Sequence, residues 1–370
     1  MNPFNYQGPV TPASLIDRRA ELDALQRAAA DRIAVRLAAP RRFGKSSLLD
    51  AHVQAMREAG HRAVRVDFSK VATVGDAAAR VARAYGDLPS DPGRVVRRWA
   101  ARLGIGVGVS VAGVGVSVAA SRPPGPAADE ARAALLELLD VPSRLHDGDG
   151  GMTVVCIDEF QDLLVADDAL DGLVRSVVQH HGEAAAYVFA GSQPSLMHAL
   201  FSEQERPFYG QARPLELPPL PVAEAANDIE ALLRADDLDP GGTVDELLAF
   251  SAGHPQRTIL LAHHLYNLLA ESERTDDPVA EAIERALRET RDAHQAAWDG
   301  IGRNERLVLL ALSDGQAPTG SIVASEHRVA RSTLQQALDR LLDDGRHVRR
   351  DAGGRPRLLD PLFAEWLRRR

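Results

Sequence analysis

Residues 39–47 read APRRFGKSS, and their spacing is that of G-x-x-x-x-G-K-[ST], with Ala39 in the place of the first glycine. That pattern suits phosphate chemistry. Backbone N–H groups of the loop and of the helix after it would turn toward an anion. Gly44 keeps a side chain out of the anion cup, Lys45 carries positive charge to the β and γ phosphates, and the Ser46 hydroxyl would ligate Mg²⁺. Pro40, Arg41, Arg42, Phe43, Gly44, Lys45, Ser46 and Ser47 are therefore the candidate nucleotide-binding residues, with Ala39 adding only a methyl group at the rim. A second chemical centre is TVVCIDEFQDLL, residues 153–164, an apolar run ending in Asp158 and Glu159. An acid at such a strand end holds Mg²⁺ through its water shell. The adjacent glutamate can orient and deprotonate an attacking water. Taken alone, Asp158 reads better as a helix cap; paired with Lys45 on a neighbouring strand, the metal and base roles are favoured. The next apolar run ends in Gly191, Ser192 and Gln193. There Ser192 either meets the γ-phosphate or its water, or lies in an ordinary strand-end turn.

These residues need a parallel sheet, because ligands collect at the carboxyl ends of parallel strands. The pattern predicts one, with strands at 33–38, 63–68, 153–157 and 186–190 and helices at 17–31, 47–59, 75–85 and 130–139, then a turn at 148–151. The expected fold is α/β, a P-loop NTPase sheet with helices on both faces, spanning 1–221. The prolines of LELPPLP, 215–221, make a stiff joint. Residues 222–295 read helical throughout, as a helical lid domain. Residues 296–370 form a third unit with helices at 303–312 and 331–342 and a basic hairpin at 347–359 turning at 352–354, the pattern of a winged helix. The segment LGIGVGVSVAGVGVSVAA, 103–120, is uncharged, but its valines alternate around a two-residue gap at Ala112 and Gly113. A membrane-spanning helix needs roughly 20 apolar residues. Period two predicts a Gly/Val β-hairpin over 104–120 instead.

A formal charge of −9 over 370 residues argues against a protein built to coat nucleic acid or an anionic membrane. The single cysteine, Cys156, excludes an intrachain disulfide and fits a reducing compartment. The first residues lack the basic start and apolar run of a signal peptide, so a cytoplasmic protein without a membrane is expected. Cys156 and Met197 read as core, and the pairs His180–His181 and His263–His264 lack metal-site spacing.

Taken together, the motifs resemble those of the archaeal-type ATPases of the STAND branch of AAA-like proteins, which also occur in bacteria. The resemblance spans nearly the whole chain. Residues 16–21, IDRRAE, are similar to the family's N-terminal hhGRxxE motif, with Asp17 in the glycine place. PRRFGKSSLL, CIDEFQDL, PFYGQARPLELPPL, SAGHPQ and LLDPLFAEWLR resemble further family segments. The resemblance implies that Arg18 borders the adenine pocket and that Pro255 packs on adenine. Where the family often has arginine after its Tyr-Gly pair, this chain has Gln211, with Arg206 and Arg213 nearby.

What the resemblance implies is an ATP-binding, Mg²⁺-dependent, ATP-hydrolysing switch with slow turnover. Lys45 and Glu159 would be catalytic, and Ser46 and Asp158 would hold the metal. An effector would act in trans, as an unidentified protein partner, and a homo-oligomer is compatible with it. The alternative is an initiator-like or regulator-like protein that binds DNA through the winged helix. Arg346, Arg349, Arg350, Arg355, Arg357, Arg368, Arg369 and Arg370 make the C-terminus basic. Ser332, Thr333, Gln335 and Gln336 on the 331–342 helix are suited to base edges. Asp339, Asp343 and Asp344 beside them favour protein docking over DNA.

Overall fold

The continuous apolar runs of the sequence become buried parallel strands. The computed structural model describes residues 2–7, 16–88, 128–271, 275–351 and 353–370. The Gly/Val hairpin expected over 104–120 lies outside them. The chain divides into two units, each treated by itself: Arg19–Ala39 with Leu48–Glu216, and Pro40–Ser47 with Leu217–Arg370 and the described part of Met1–Arg18.

The first unit runs α1 (Arg19–Ala30), β1 (Val35–Ala38), α2 (Lys45–Glu58), β2 (Arg62–Asp67), α3 (Val74–Gly86), α4 (Ala128–Leu139), α5 (Val141–Asp149), β3 (Thr153–Asp158), α6 (Leu163–Ala166), α7 (Leu170–Val178), β4 (Ala185–Gly191), α8 (Pro194–Ser202) and β5 (Arg213–Glu216). Residues 45–47, the start of α2, belong to the second unit. The strands form one sheet in the order β2-β3-β4-β1-β5. All its pairings are parallel. Every residue of β3 and β4 is buried, as expected where both faces of a sheet are covered.

Two elements depart from the expectation. β5 was not anticipated, because its residues are mostly exposed and it contains Pro214. Proline is tolerated there because an edge strand leaves one N–H side unpaired. Helix α5 occupies residues 141–147, to which the sequence reading assigned no element, and the first two residues of the turn expected at 148–151. Its Pro142 sits in the first turn, where no N–H is needed, and Gly150 closes it at φ 70°.

Four phenylalanines, Phe160, Phe189, Phe201 and Phe208, pack together with ring centroids 5.0–5.9 Å apart. Phe160 directly follows Glu159, so this aromatic cluster pins the turn that carries the acid pair.

In the second unit, α9 (Val222–Ala235), α10 (Thr243–Ser251), α11 (Pro255–Ala270) and α12 (Pro278–Asp299) share an apolar core. Phe4 and Ile16 from the N-terminal segment complete that core. His263 Nδ1 lies 2.8 Å from the Phe4 carbonyl and Asn2 donates to the His263 carbonyl at 3.0 Å. Then follow α13 (Arg303–Ser313), α14 (Ser321–Glu326), α15 (Arg331–Asp344), β6 (Val348–Arg350), β7 (Pro356–Leu358) and α16 (Pro361–Arg368). The antiparallel β6–β7 hairpin gives the expected wing. Trp298, Val308, Leu309, Leu334, Leu338, Val348 and Phe363 build a separate core there. Among the described residues, no helix is long and apolar enough to cross a membrane.

Candidate functional site

In the first unit the strand ends line up. Ala38 is in register with Gly191, and Asp67 with Asp158. Asp158 is buried, and its Oδ2 accepts a hydrogen bond from Arg65 Nη2 at 2.9 Å. Arg65 also grips both carboxylate oxygens of Asp50 at 2.8 Å. Burial alone would weaken the Arg65 cation, but Asp158 and Asp50 outweigh it and hold the guanidinium charged. Arg65 thus sets a partly buried cation against the Asp158 carboxylate and fixes its orientation.

Glu159 adopts φ 51°, ψ 44°, a left-handed conformation that side chains other than glycine rarely take. Its Oε2 accepts from the Ser192 amide at 3.0 Å, the Ser192 hydroxyl at 2.7 Å and Gln161 Nε2 at 2.6 Å. Backbone strain of this kind persists only where the surroundings over-determine it, and it clusters at functional sites. Ser192 is therefore more than a strand-end turn residue: it anchors the glutamate. Ala39 is fully buried, with its N–H on the Gly191 carbonyl at 3.2 Å. Its methyl group lies in the core rather than at a rim, which corrects the sequence reading.

In the second unit, the loop turns through Arg42 at φ 69° and Gly44 at φ 83°. Alternating left- and right-handed residues curve a backbone so that its N–H groups converge on an anion. A Cβ built on Gly44 would meet nothing within 4 Å, so the space above it is open. Arg41 and Arg42 are exposed on the turn, while Lys45 is buried at the start of α2. Arg18 is buried and donates to the Phe43 carbonyl at 3.4 Å and the Pro218 carbonyl at 2.9 Å. It braces the loop backbone. Phe43 is also buried, its ring edge-on to His254 at 5.0 Å.

His254 caps α11, its side chain accepting from the Arg257 amide, with Pro255 buried at the first helical position. Burial pushes the His254 imidazole down to about 4, so it stays neutral and able to accept. Gly253 stands at φ 69°, and a Cβ there would lie 2.5 Å from the Leu220 carbonyl oxygen. The close approach that this glycine permits is to the 219–220 backbone, not to a ligand.

Arg206 pairs with Asp171 at 3.4 Å. Arg213 opens β5 opposite Val35, about 10 Å along the strand from where β1 ends. By this register Arg213 is not at the carboxyl end of the sheet. Cys156 and Met197 are core, as expected. His181 bonds Tyr187 at 2.5 Å and His264 approaches Glu289 at 3.1 Å. Among the described residues, no group of His, Cys, Asp and Glu forms a metal cluster of three. The sequence reading missed Arg65, Asp50 and Gln161. Arg65 left one local signal: a charged residue alternating with valines in β2.

No known protein family profile matches the chain, and no curated protein does either. Solved structures do. The Walker-type ATPase of Pyrococcus abyssi superposes with a TM-score of 0.69 at 16% identity, covering 99% of this chain and 99% of that one. The Aeropyrum pernix ORC2 protein, solved in ADPNP–ADP complexes, gives 0.61 at 15% identity over 98% and 94%. The Aeropyrum pernix ORC1 protein in complex with DNA gives 0.50 at 18% identity over 95% and 92%. The fold is that of a P-loop NTPase, a parallel α/β sheet followed by a helical lid and winged-helix elements.

Proposed function

We propose that this chain is an ATP-binding and slowly ATP-hydrolysing switch of the STAND kind, regulating a partner protein in trans. The observation that carries the reading is the loop itself: the left-handed turns at Arg42 and Gly44 and the open space above Gly44 suit a bound phosphate. Residues 40–47 would wrap the phosphates, with Lys45 supplying charge. Ser46 and Asp158 would hold Mg²⁺, and their hard oxygen donors fit it. When bound, the metal would neutralise charge developing on the phosphates. Glu159 would take the proton of the attacking water, its carboxylate oriented by Ser192 and Gln161. Ser192 would also come close to the γ-phosphate. Arg18 would keep the loop in shape beside the adenine, and Pro255 would pack on the base.

The test is calorimetry with Mg·ATP. Lys45→Ala should abolish measurable binding, since a charge-assisted contact contributes about 1.5–3 kcal/mol and this residue would supply the side-chain charge to the β and γ phosphates. Wild-type affinity in that variant would overturn the assignment.

A DNA-binding initiator or regulator is the second reading. It draws on the exposed Ser332, Gln335, Gln336 and Arg340 of α15 and on the DNA-bound ORC1 neighbour. Against it, four of the eight C-terminal arginines are paired with acidic side chains of the same unit. Arg346 pairs with Asp344, Arg357 with Asp351, Arg368 with Glu365, and Arg369 with Glu365 and Glu284. Phosphate neutralisation dominates DNA affinity, so protein docking is the stronger reading. Salt-dependent binding to duplex DNA would reverse that order.

A further inference from the structure

Two contacts in the second unit join segments far apart in sequence. The first is a buried ion pair. Arg257, in the first turn of α11, donates from Nε to Asp360 Oδ1 at 2.9 Å and from Nη2 to Asp360 Oδ2. Arg257 is buried, and His294 Nε2 of α12 stands 3.7 Å from the same carboxylate. Asp360 also caps α16 by accepting from the amides of Leu362 and Phe363. Burial on its own would raise the Asp360 carboxyl. The nearby His294 imidazole, the hydrogen bonds from Arg257 and the charge of Arg257 overcome this and hold it well below the usual carboxylate range. The lid helices and the C-terminal helix are thereby clamped together. A carboxylate with this many donors does not release its partners readily.

The second contact centres on Phe43. One side of the ring meets His254, the residue just before α11, at 5.0 Å. Over the ring lies the Arg349 guanidinium of β6, 5.3 Å from the centroid. That is within the roughly 6 Å at which a cation is attracted to an aromatic face. One side chain of the phosphate loop therefore meets both the residue that caps α11, His254, and the first wing strand, through Arg349.

Resting on the nucleotide-switch reading above, we infer that Phe43 is the reporter that carries the state of the phosphate loop to the winged-helix elements, through Arg349 and the clamped lid. A loop that rearranges around phosphates moves the Phe43 backbone away from the arrangement in which Arg18 holds its carbonyl. The ring then changes its distance from Arg349. A contact made better in one state than in the other biases the equilibrium between them by that difference. The wing consequently follows the nucleotide without touching it. Arg349 is a positioning residue in this scheme and has no part in binding or chemistry.

The experiment is hydrogen exchange on the full chain with ADP and with a non-hydrolysable ATP analogue, beside calorimetry for affinity. In the wild type, protection over 348–358 and over α16 should differ between the two nucleotides by about three- to tenfold, the size that one cation–π contact supports. Arg349→Gln should bind both nucleotides within threefold of wild type yet lose that difference over 348–358. Arg349→Lys, which keeps a cation, should restore part of it. Phe43→Leu, read at saturating nucleotide, should lose it as well and serves if Arg349→Gln folds poorly. A wild-type response in both Arg349→Gln and Phe43→Leu overturns the inference while leaving the switch reading intact. A wild type that binds nucleotide with no response in the wing also overturns it. A wild type that binds no nucleotide removes the switch reading itself, and calorimetry identifies that case separately.

Discussion

Glu159 concentrates two unusual properties in one residue, a left-handed backbone and a carboxylate oxygen that accepts three donors. In the proposed role this is orientation, since a base is useful only when its lone pair faces the water. Glu159→Gln should keep Mg·ATP binding and lose turnover by roughly 10²–10⁴-fold, the usual scale of general-base catalysis. Phosphate release near wild type would demote the residue to a turn former. Ser192→Ala removes one donor to a charged group, a contact that contributes about 1.5–3 kcal/mol, so turnover should fall at least roughly tenfold. Ser192→Thr retains the hydroxyl and should recover most of the rate. Steady-state kinetics on the pair distinguishes an anchoring hydroxyl from a merely space-filling one.

At the scale of elements, the turn between α10 and α11 offers a clean comparison. Gly253 is left-handed and crowded by Leu220, whereas Gly60 is left-handed, at φ 86°, in open space. Gly60→Ala should cost only the conformational penalty, about 1–2 kcal/mol. Gly253→Ala must in addition displace backbone, and should lose more than twice as much in urea denaturation. Equal losses would mean that the 219–220 segment yields freely. The elements nearest the chemistry were legible in the sequence because their causes are local. β3 and β4 announce themselves as unbroken apolar runs, and the loop stands between a strand and a helix as its motif requires. β5 escaped notice because an exposed edge strand has no hydrophobic signature. α5 escaped because its Pro, Ser, Asp and Gly read as loop formers. The pairs Arg65–Asp158 and Arg257–Asp360 span 93 and 103 residues, and no local pattern encodes such a contact. Ala39 was placed at a rim because spacing identifies a motif position but not what packs against it.

For the whole molecule, buried histidines set the response to acid. Burial pushes His52 and His254 down from 6.5 to about 4. His181, His264 and His347 shift in the same direction, again chiefly through burial. Each lowered group binds its proton more readily in the unfolded chain. Its contribution is complete above pH 6.5 and is lost as pH falls through the folded value. For His52 and His254 that is about 3 kcal/mol each between pH 6.5 and 4. Asp360, held low, keeps its contribution until below the usual carboxylate range and does not offset the loss. The urea midpoint should therefore drop steeply from pH 7 to 4.5, and His52→Leu should flatten the slope. A midpoint unchanged over that interval would show these imidazoles to be solvated. The division of the chain has its own consequence for inheritance. The chain passes from one unit to the other at 18–19, 39–40, 47–48 and 216–217. No single break in the coding sequence yields either unit whole. Recombination with a distant relative near residue 217 would join one lineage's Phe43 to another lineage's His254 and Arg349. Exchange that preserves those partners must carry nearly the full reading frame, so this architecture should travel between genomes as one piece.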